Sequence, residues 1–428
     1  MPNKRIVCFG PGPRFKGGIA NYNTSLAKAL DQAPNTEVFI VSWTQQYPSI
    51  IPREFEDKKS KTDDLLKGTN VQVKYLTNYN NPLSWQATYR YIRDLKPDIV
   101  IFQWAITIQG LPLGRIARML RKHSGIEIIF DLHNIVQKEN SPIDKNFTKY
   151  GIEAAHTYIV HSHLTVQELA EFYEHRKNFY VTTTGRRKPD SGNTIIKLYH
   201  PVYDMFEPKA DFDVAAFKQK HGLRKHVFLF FGFIRKYKGL HNAIKAFKKV
   251  ASERNDVSLL ICGESFWNTL DNTKLSTKVK EKVFGFVKKI MVKKEDDERH
   301  YRPLDLIHTL SLQDQTVVFN DFIPNEEVHQ YFQASDCVVL YYTYATPSGI
   351  LSISYNFELP ILATKVGAFP ELIEHGVDGY LAKDNDIEDM AQQMRSFIEK
   401  PIPAENVVEK AKSLSWENYA KAILQGNI

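Results

Sequence analysis

The sequence predicts an α/β protein built from two doubly wound parallel-sheet domains. Three observations point that way. Short apolar runs alternate with helical stretches along the first half of the chain, the same pattern begins again after about residue 225, and 428 residues exceed what one hydrophobic core organises. In the first half the expected strands are 6–9, 38–43, 98–103, 126–132 and 158–161. In the second half strand 227–231 leads into a helix over 240–251, and further strands follow at 258–262, 316–319, 337–342, 360–363 and 379–382. The segment 177–193 is polar, bears glycine and carries Arg186, Arg187 and Lys188 in succession, so it reads as a surface loop. Near the end, Ser415 stands where a capping serine opens an amphipathic helix. The expected domains are 1–204 and 205–404, with the terminal helix 405–428 packing back on the first domain and a basic insertion at about 265–312 in the second.

Composition narrows the function classes. No apolar run approaches the roughly 20 residues that span a bilayer, and residues 1–5 lead straight into a strand with no signal-peptide core, so a soluble cytoplasmic protein is expected. Cys8, Cys262 and Cys337 are few, far apart and set in apolar stretches; they read as reduced core residues, with no disulfide frame or zinc site. A formal charge of +7 favours an acidic partner: anionic lipid, nucleotide phosphate or nucleic acid. Nucleic acid is the poorest of the three, because the cations are scattered over loops without an aromatic-basic repeat.

Three loops carry candidate chemistry. After the first strand comes Gly10-Pro11-Gly12-Pro13-Arg14-Phe15-Lys16-Gly17-Gly18, followed by a helix to about Leu30. Its glycines let backbone approach a ligand, but the spacing is not that of a dinucleotide fingerprint, and the next strand ends in Ser42-Trp43 where an acidic residue would be needed. The second half opens with Gly232-Phe233-Ile234-Arg235-Lys236-Tyr237-Lys238-Gly239, three cations between two glycines. An arginine fork and lysine point charges suit a pyrophosphate; a solvated basic loop is the alternative. Downstream, Ser348-Gly349-Ile350-Leu351 starts a helix at which Ser348 can cap and the amides of Gly349, Ile350 and Leu351 can face an anion, although Ser-Gly is also an ordinary helix start.

The order and spacing of these segments resemble the family 4 retaining glycosyltransferases, of the bacterial surface-polysaccharide type. The likeness covers nearly the whole chain. Beyond the loops above it rests on Asp131-Leu132-His133-Asn134 with Glu139 following, His161-Ser162, His200-Pro201-Val202-Tyr203, Phe319-Asn320-Asp321-Phe322-Ile323-Pro324, Val366-Gly367-Ala368-Phe369-Pro370-Glu371 and Ser415-Trp416-Glu417. The resemblance implies the GT-B fold, two Rossmann-like domains facing across a cleft. It implies retaining, metal-independent transfer of a sugar from a UDP- or GDP-linked donor to a glycan or lipid-linked acceptor, with no further cofactor. Arg235 and Lys238 would grip the diphosphate and His133 would sit over the transferred sugar. Gly17, Gly18, Gly232, Phe322, Ile323, Ser348, Gly349, Ile350, Leu351 and Glu371 would line the donor, and Gln103, Trp104, Asn134 and Glu139 the acceptor side.

One departure stands out. Family members commonly carry two glutamates eight positions apart around the second-half phosphate helix, and this chain has Ala345 and Ile353 there. Ribose recognition then falls to other groups, with Ser352, Ser354 and Glu371 as candidates, and a non-catalytic sugar-nucleotide or glycan-binding relative is the alternative reading. Two basic features suggest an anionic membrane face. One is the lysine-rich amphipathic stretch 278–294; the other is the strip of Arg115, Arg118, Arg121 and Lys122.

Overall fold

The computed structural model describes residues 3–48, 55–135, 142–174, 177–185, 192–265, 301–344 and 348–425. Among them the chain forms two compact units. The first unit carries an eight-stranded parallel sheet of β1 (Lys4–Phe9), β2 (Thr36–Gln45), β3 (Gln72–Asn78), β4 (Ile99–Trp104), β5 (Glu127–Leu132), β6 (Thr157–Val160), β7 (Phe179–Thr182) and β8 (Asn193–Lys197). The second carries a six-stranded parallel sheet of β9 (His226–Phe231), β10 (Val257–Cys262), β11 (Thr316–Phe319), β12 (Cys337–Leu340), β13 (Ile361–Thr364) and β14 (Gly379–Ala382).

Both sheets reverse direction beside their first strand. The first runs β3-β2-β1-β4-β5-β6-β8-β7, and the second β11-β10-β9-β12-β13-β14. In open sheets of this kind the crevice for a ligand lies past the carboxyl ends of the strands at the reversal, here between β1 and β4 and between β9 and β12. The loops at Gly10 and Gly232 leave the sheets at these two points.

The central strands are continuous apolar runs because helices cover both faces. Within the first sheet Phe9, Phe102 and Phe130 are register partners across β1, β4 and β5, with ring centroids 5.3 Å and 5.0 Å apart. Such aromatic pairs add about 0.5–1.5 kcal/mol each beyond their burial. The two-residue period of a strand then turns the next residues, Gln103 and Asp131, to the opposite face, where they too are register partners.

The structure departs from the sequence reading in three places. The segment 177–193 is not all loop: β7 and the start of β8 lie in it, while Arg186, Arg187 and Lys188 fall outside the described residues. β7 is short and exposed along its middle, so it lacks the buried run that marks a central strand. β3 escaped notice because it alternates exposed polar and half-buried residues. The terminal segment is two helices, Ala404–Ser413 and Trp416–Leu424. Only the second belongs with the first unit, and the boundary between the units falls at His200. Most of the expected insertion, 266–300, lies outside the described residues.

Candidate active site

In the second unit the chain leaves β9 at Gly232, whose φ of +95° is a conformation L side chains rarely adopt. A Cβ there would stand 2.9 Å from Lys238 Nζ and 3.3 Å from Ile350 Cδ1, the ends of two flexible side chains. Gly232, Lys238 and Ile350 are thus drawn to one point past the end of β9. Gly239, with φ +65°, turns the chain into the helix Leu240–Ala251, and its missing Cβ makes room for the Tyr341 carbonyl.

Lys238 is 9% exposed, and among the described residues no carboxylate pairs with it. Burial, then repulsion from Arg235, pushes its ammonium down to about 8. Its Nζ lies 5.9 Å from the Tyr342 ring centroid, and the Tyr342 hydroxyl reaches Ser348 Oγ at 3.4 Å. Arg235, half-buried, lies over Tyr237 at 5.8 Å. Like charges held together in a low-dielectric pocket make a receptor for an anion.

The helix Gly349–Asn356 begins here, with two corrections. Ser348 holds the N-cap position but its side chain makes no capping bond, and the Leu351 amide already donates to Ser348 O at 3.1 Å. The first-turn amides of Gly349 and Ile350 have no acceptor within the helix, as at any helix start. Gly349 is required by packing: a Cβ would meet the Tyr203 ring at 2.8 Å. Ser352 is fully buried with its hydroxyl 3.1 Å from His200 Nδ1, and Ser354 Oγ donates to Leu359 O at 2.8 Å. Both serines are therefore spent inside the unit and are withdrawn as ribose ligands. Ile353 is 6% exposed, Ala345 lies outside the described residues, and Glu371 is half-buried in the short helix Phe369–Leu372. Phe322 is half-buried and Ile323 buried, past the end of β11.

In the first unit Gly17, at φ +106°, is the N-cap of the helix Gly18–Asp31, and Gly18 is exposed. His133 follows β5 with its amide donating to Trp104 O at 3.0 Å, and its half-buried ring donates from Nε2 to Gln103 Oε1 at 2.7 Å. Burial pushes this imidazole down to about 4, with Asp131 opposing the shift and His161 adding to it. Beneath it lies a buried polar layer that the sequence did not reveal. His161 Nε2 donates to Asp131 Oδ1 at 2.9 Å, the Tyr22 hydroxyl donates to Asp131 Oδ2 at 2.8 Å, and Tyr419 of the helix Trp416–Leu424 meets Tyr22 at 2.5 Å. Burial alone would raise the Asp131 carboxyl, but the charge and hydrogen bond of His161 outweigh it and hold it below its ordinary value.

Gln103 and Trp104 are 2% and 1% exposed, so neither lies open to an acceptor. Trp104 fills the space left by Gly110 and Gly151, and Gln103 supports His133 from below. Asn134 Nδ2 donates to Ala105 O at 2.8 Å, and Glu139 lies outside the described residues. Tyr22, Tyr203 and Tyr419 are sites that sequence reasoning missed. Tyr22 lies one turn into the helix after the glycine loop and Tyr203 within the quoted His200 motif, but only Tyr419's separation of 397 residues from Tyr22 is beyond any local signal.

Two family models match the chain, one described as glycosyltransferase family 4 over residues 16–185 and one as glycosyl transferases group 1 over residues 211–414. The chain belongs to the family 4 glycosyltransferases. Among curated proteins it is 20% identical over 300 residues to N-acetyl-alpha-D-glucosaminyl L-malate synthase of Bacillus anthracis, and 23% identical over 239 residues to spore coat protein SA of Bacillus subtilis. The matched stretches are 69% and 54% of this chain, and they span 64% and 55% of those relatives' lengths. Among solved structures, HepE of Anabaena in complex with UDP and glucose is similar with a TM-score of 0.63 at 16% identity, over 98% of this chain and 97% of that one. Sucrose-phosphate synthase of Thermosynechococcus elongatus gives 0.61 at 16%, over 98% and 96%. These likenesses establish the GT-B fold class for this family member.

Proposed function

We propose that this protein is a retaining, metal-independent glycosyltransferase that moves a sugar from a nucleotide diphosphate donor to a glycan or lipid-linked acceptor in polysaccharide synthesis. The observation that carries the reading is the meeting of Lys238, Gly232 and Ile350 past β9, where a buried cation with no carboxylate partner among the described residues stands beside the start of the helix Gly349–Asn356. A leaving diphosphate supplies the missing negative charge, and Arg235, Lys238 and the first-turn amides stabilise it as the glycosidic bond breaks. The acceptor hydroxyl attacks from the same face, and the departing phosphate oxygen takes its proton. UDP is the first base to test, since HepE is seen with UDP and glucose.

Thermal-shift measurement with UDP and GDP, followed by donor hydrolysis and transfer with a panel of sugar nucleotides, tests the proposal. Stabilisation by a nucleoside diphosphate together with turnover of its sugar nucleotide supports it; no stabilisation by either nucleotide sinks it. Ile353, apolar and buried where the family carries the second glutamate, favours a second reading: a relative that binds but does not turn over. Binding without turnover across the whole panel would establish that one.

For a lipid-linked acceptor the face of interest bears Ile108 and Leu111, each 41% exposed, next to the exposed Arg115 one helical turn beyond Leu111. The rest of the basic strip divides. Arg118 donates to Tyr150 O at 2.7 Å and Arg121 to Ala155 O at 2.9 Å, so both are tied to their own unit, while Lys122 is exposed. Among the described residues no helix is long and apolar enough to cross a membrane. Flotation with anionic vesicles but not with neutral ones is the expected result; equal recovery with both argues against electrostatic docking.

A further inference from the structure

His133 is held from four sides. Gln103 of β4 accepts from its Nε2 at 2.7 Å, and the His161 ring, just past β6, stacks on it at 5.4 Å and 22°. Tyr22 of the helix Gly18–Asp31 meets it edge-on at 4.8 Å, and Asp131 lies two residues back along its own strand. Gln103 has little room to move. It is packed so closely on Gly10 that a Cβ there would stand 2.6 Å from Gln103 Cγ and 3.2 Å from Asn23 Cγ. Asn23 is oriented by its Nδ2, which donates to Pro11 O at 3.1 Å, leaving Asn23 Oδ1 and Gln103 Nε2 as a buried acceptor and a buried donor, neither bonded among the described residues. The Gln103 side chain, held by this packing, presents Oε1 to His133 Nε2, and an amide oxygen only accepts, so Nε2 carries the proton.

We propose that Gln103 is a positioning residue that locks His133 as the Nε2–H tautomer, so that Nδ1 meets a substrate hydroxyl only as an acceptor. Nδ1 is the ring nitrogen without a hydrogen-bond partner among the described residues, and it is not sealed from solvent. The ring then selects for a group that donates, a hydroxyl, and rejects an oxygen that only accepts. Burial, and the neighbouring His161, oppose protonation of Nδ1, while Asp131 favours it only through its charge: His161 donates to Asp131 and, from Nδ1, to Leu198 O at 3.1 Å, so Asp131 has its own partner and does not reach His133 with a bond. The role assigned to the hydroxyl rests on reading His133 as a substrate contact; the tautomer does not.

Histidine ¹⁵N spectra of the ligand-free full-length protein test the tautomer directly, with His133→Gln identifying the signal. The expected spectrum has a protonated Nε2 and an unprotonated Nδ1 from pH 8 down to pH 5, and Gln103→Leu converts it to a mixture. A protonated Nδ1 in the wild-type protein, or an unchanged spectrum in Gln103→Leu, overturns the proposal. Should the leucine variant fail to fold, the wild-type spectrum decides alone. Gln103→Glu keeps an acceptor but adds a negative charge, so His133 takes up a second proton near neutral pH and turnover of a sugar nucleotide is lost as pH falls through that point. In Gln103→Leu, kcat falls on the order of 100-fold with KM for the sugar nucleotide little changed. A kcat equal to wild type in that variant also counts against the proposal. A protein that turns over no sugar nucleotide defeats the transferase reading while leaving the spectrum to decide the role of Gln103.

Discussion

In the second unit, Lys238 is buried beside Arg235 with no carboxylate partner among the described residues. In the first, Asp131 and His161 are buried together and saturate each other, with Tyr22 and Leu198 taking the remaining valences. Both clusters sit past the carboxyl ends of strands at a reversal of sheet order or next to it, so topology alone does not distinguish them. Charge balance does. In the open cluster Lys238 has no carboxylate among the described residues and suits an anion; in the closed cluster Asp131 and His161 are satisfied by each other and can hold a neighbour still. The difference teaches that a buried ionisable group marks a ligand site when its field is uncompensated, and a scaffold when it is compensated.

Breaking the closed cluster is expected to cost the most stability. Asp131→Asn leaves His161 without its counter-charge in a site that water does not reach, and removal of one partner from such a pair costs roughly 3–5 kcal/mol. Thermal unfolding should show a lowered first transition; an unchanged transition would mean that the layer is not compensated as described. The open cluster should behave in the opposite way. Lys238→Met removes a buried charge and should keep or raise the unfolding temperature, yet lower turnover by about 10²–10³, the scale for losing one stabilising group at a developing anion. A variant that loses stability as well as activity would put Lys238 among compensated groups.

The pH dependence of the open cluster carries a definite sign. Lys238 is lowered from 10.5 to about 8 in the folded protein, so between about pH 8 and 10.5 the unfolded chain binds more protons and stability rises with pH. Diphosphate binding reverses the preference by favouring the ammonium. UDP retention should therefore weaken as pH rises through about 8, measured by calorimetry in buffers of different ionisation enthalpy, with proton uptake on binding near pH 8.

Two smaller effects sharpen the contrast. Gly349→Ala drives a Cβ to 2.8 Å from the Tyr203 ring, an overpacking of about 1–3 kcal/mol that shifts the start of the helix Gly349–Asn356. UDP affinity should fall about 30-fold, corresponding to the middle of that range. Tyr419→Phe removes only the outermost hydroxyl of the closed layer, and Tyr22 still donates to Asp131, so about 1 kcal/mol is expected. Tyr22→Phe should exceed it, because Asp131 Oδ2 then loses its donor. Equal losses in denaturant titration would show that the layer does not act in that order.

The sequence by itself determined the strands with continuous apolar runs, both sheets' parallel sense and the glycine-bearing and basic loops that follow the strands, because periodicity, glycine and cation placement are local quantities. Arg235, Lys238 and Gly349 could be named from residue type and position after a strand. Edge strands β3 and β7 could not, since a strand covered on fewer sides carries a weaker pattern. Nor could the fate of Gln103, Ser352 and Ser354, whose polar ends were read as ligand-facing and prove to be consumed inside their units. Only the tertiary structure brings Tyr419 onto Tyr22 across 397 residues and sets Asp131 opposite Gln103 in register. The physical reason is that a side chain's chemistry is written in its residue type, whereas its availability depends on which distant groups satisfy its hydrogen bonds and charge, and packing alone brings those groups together.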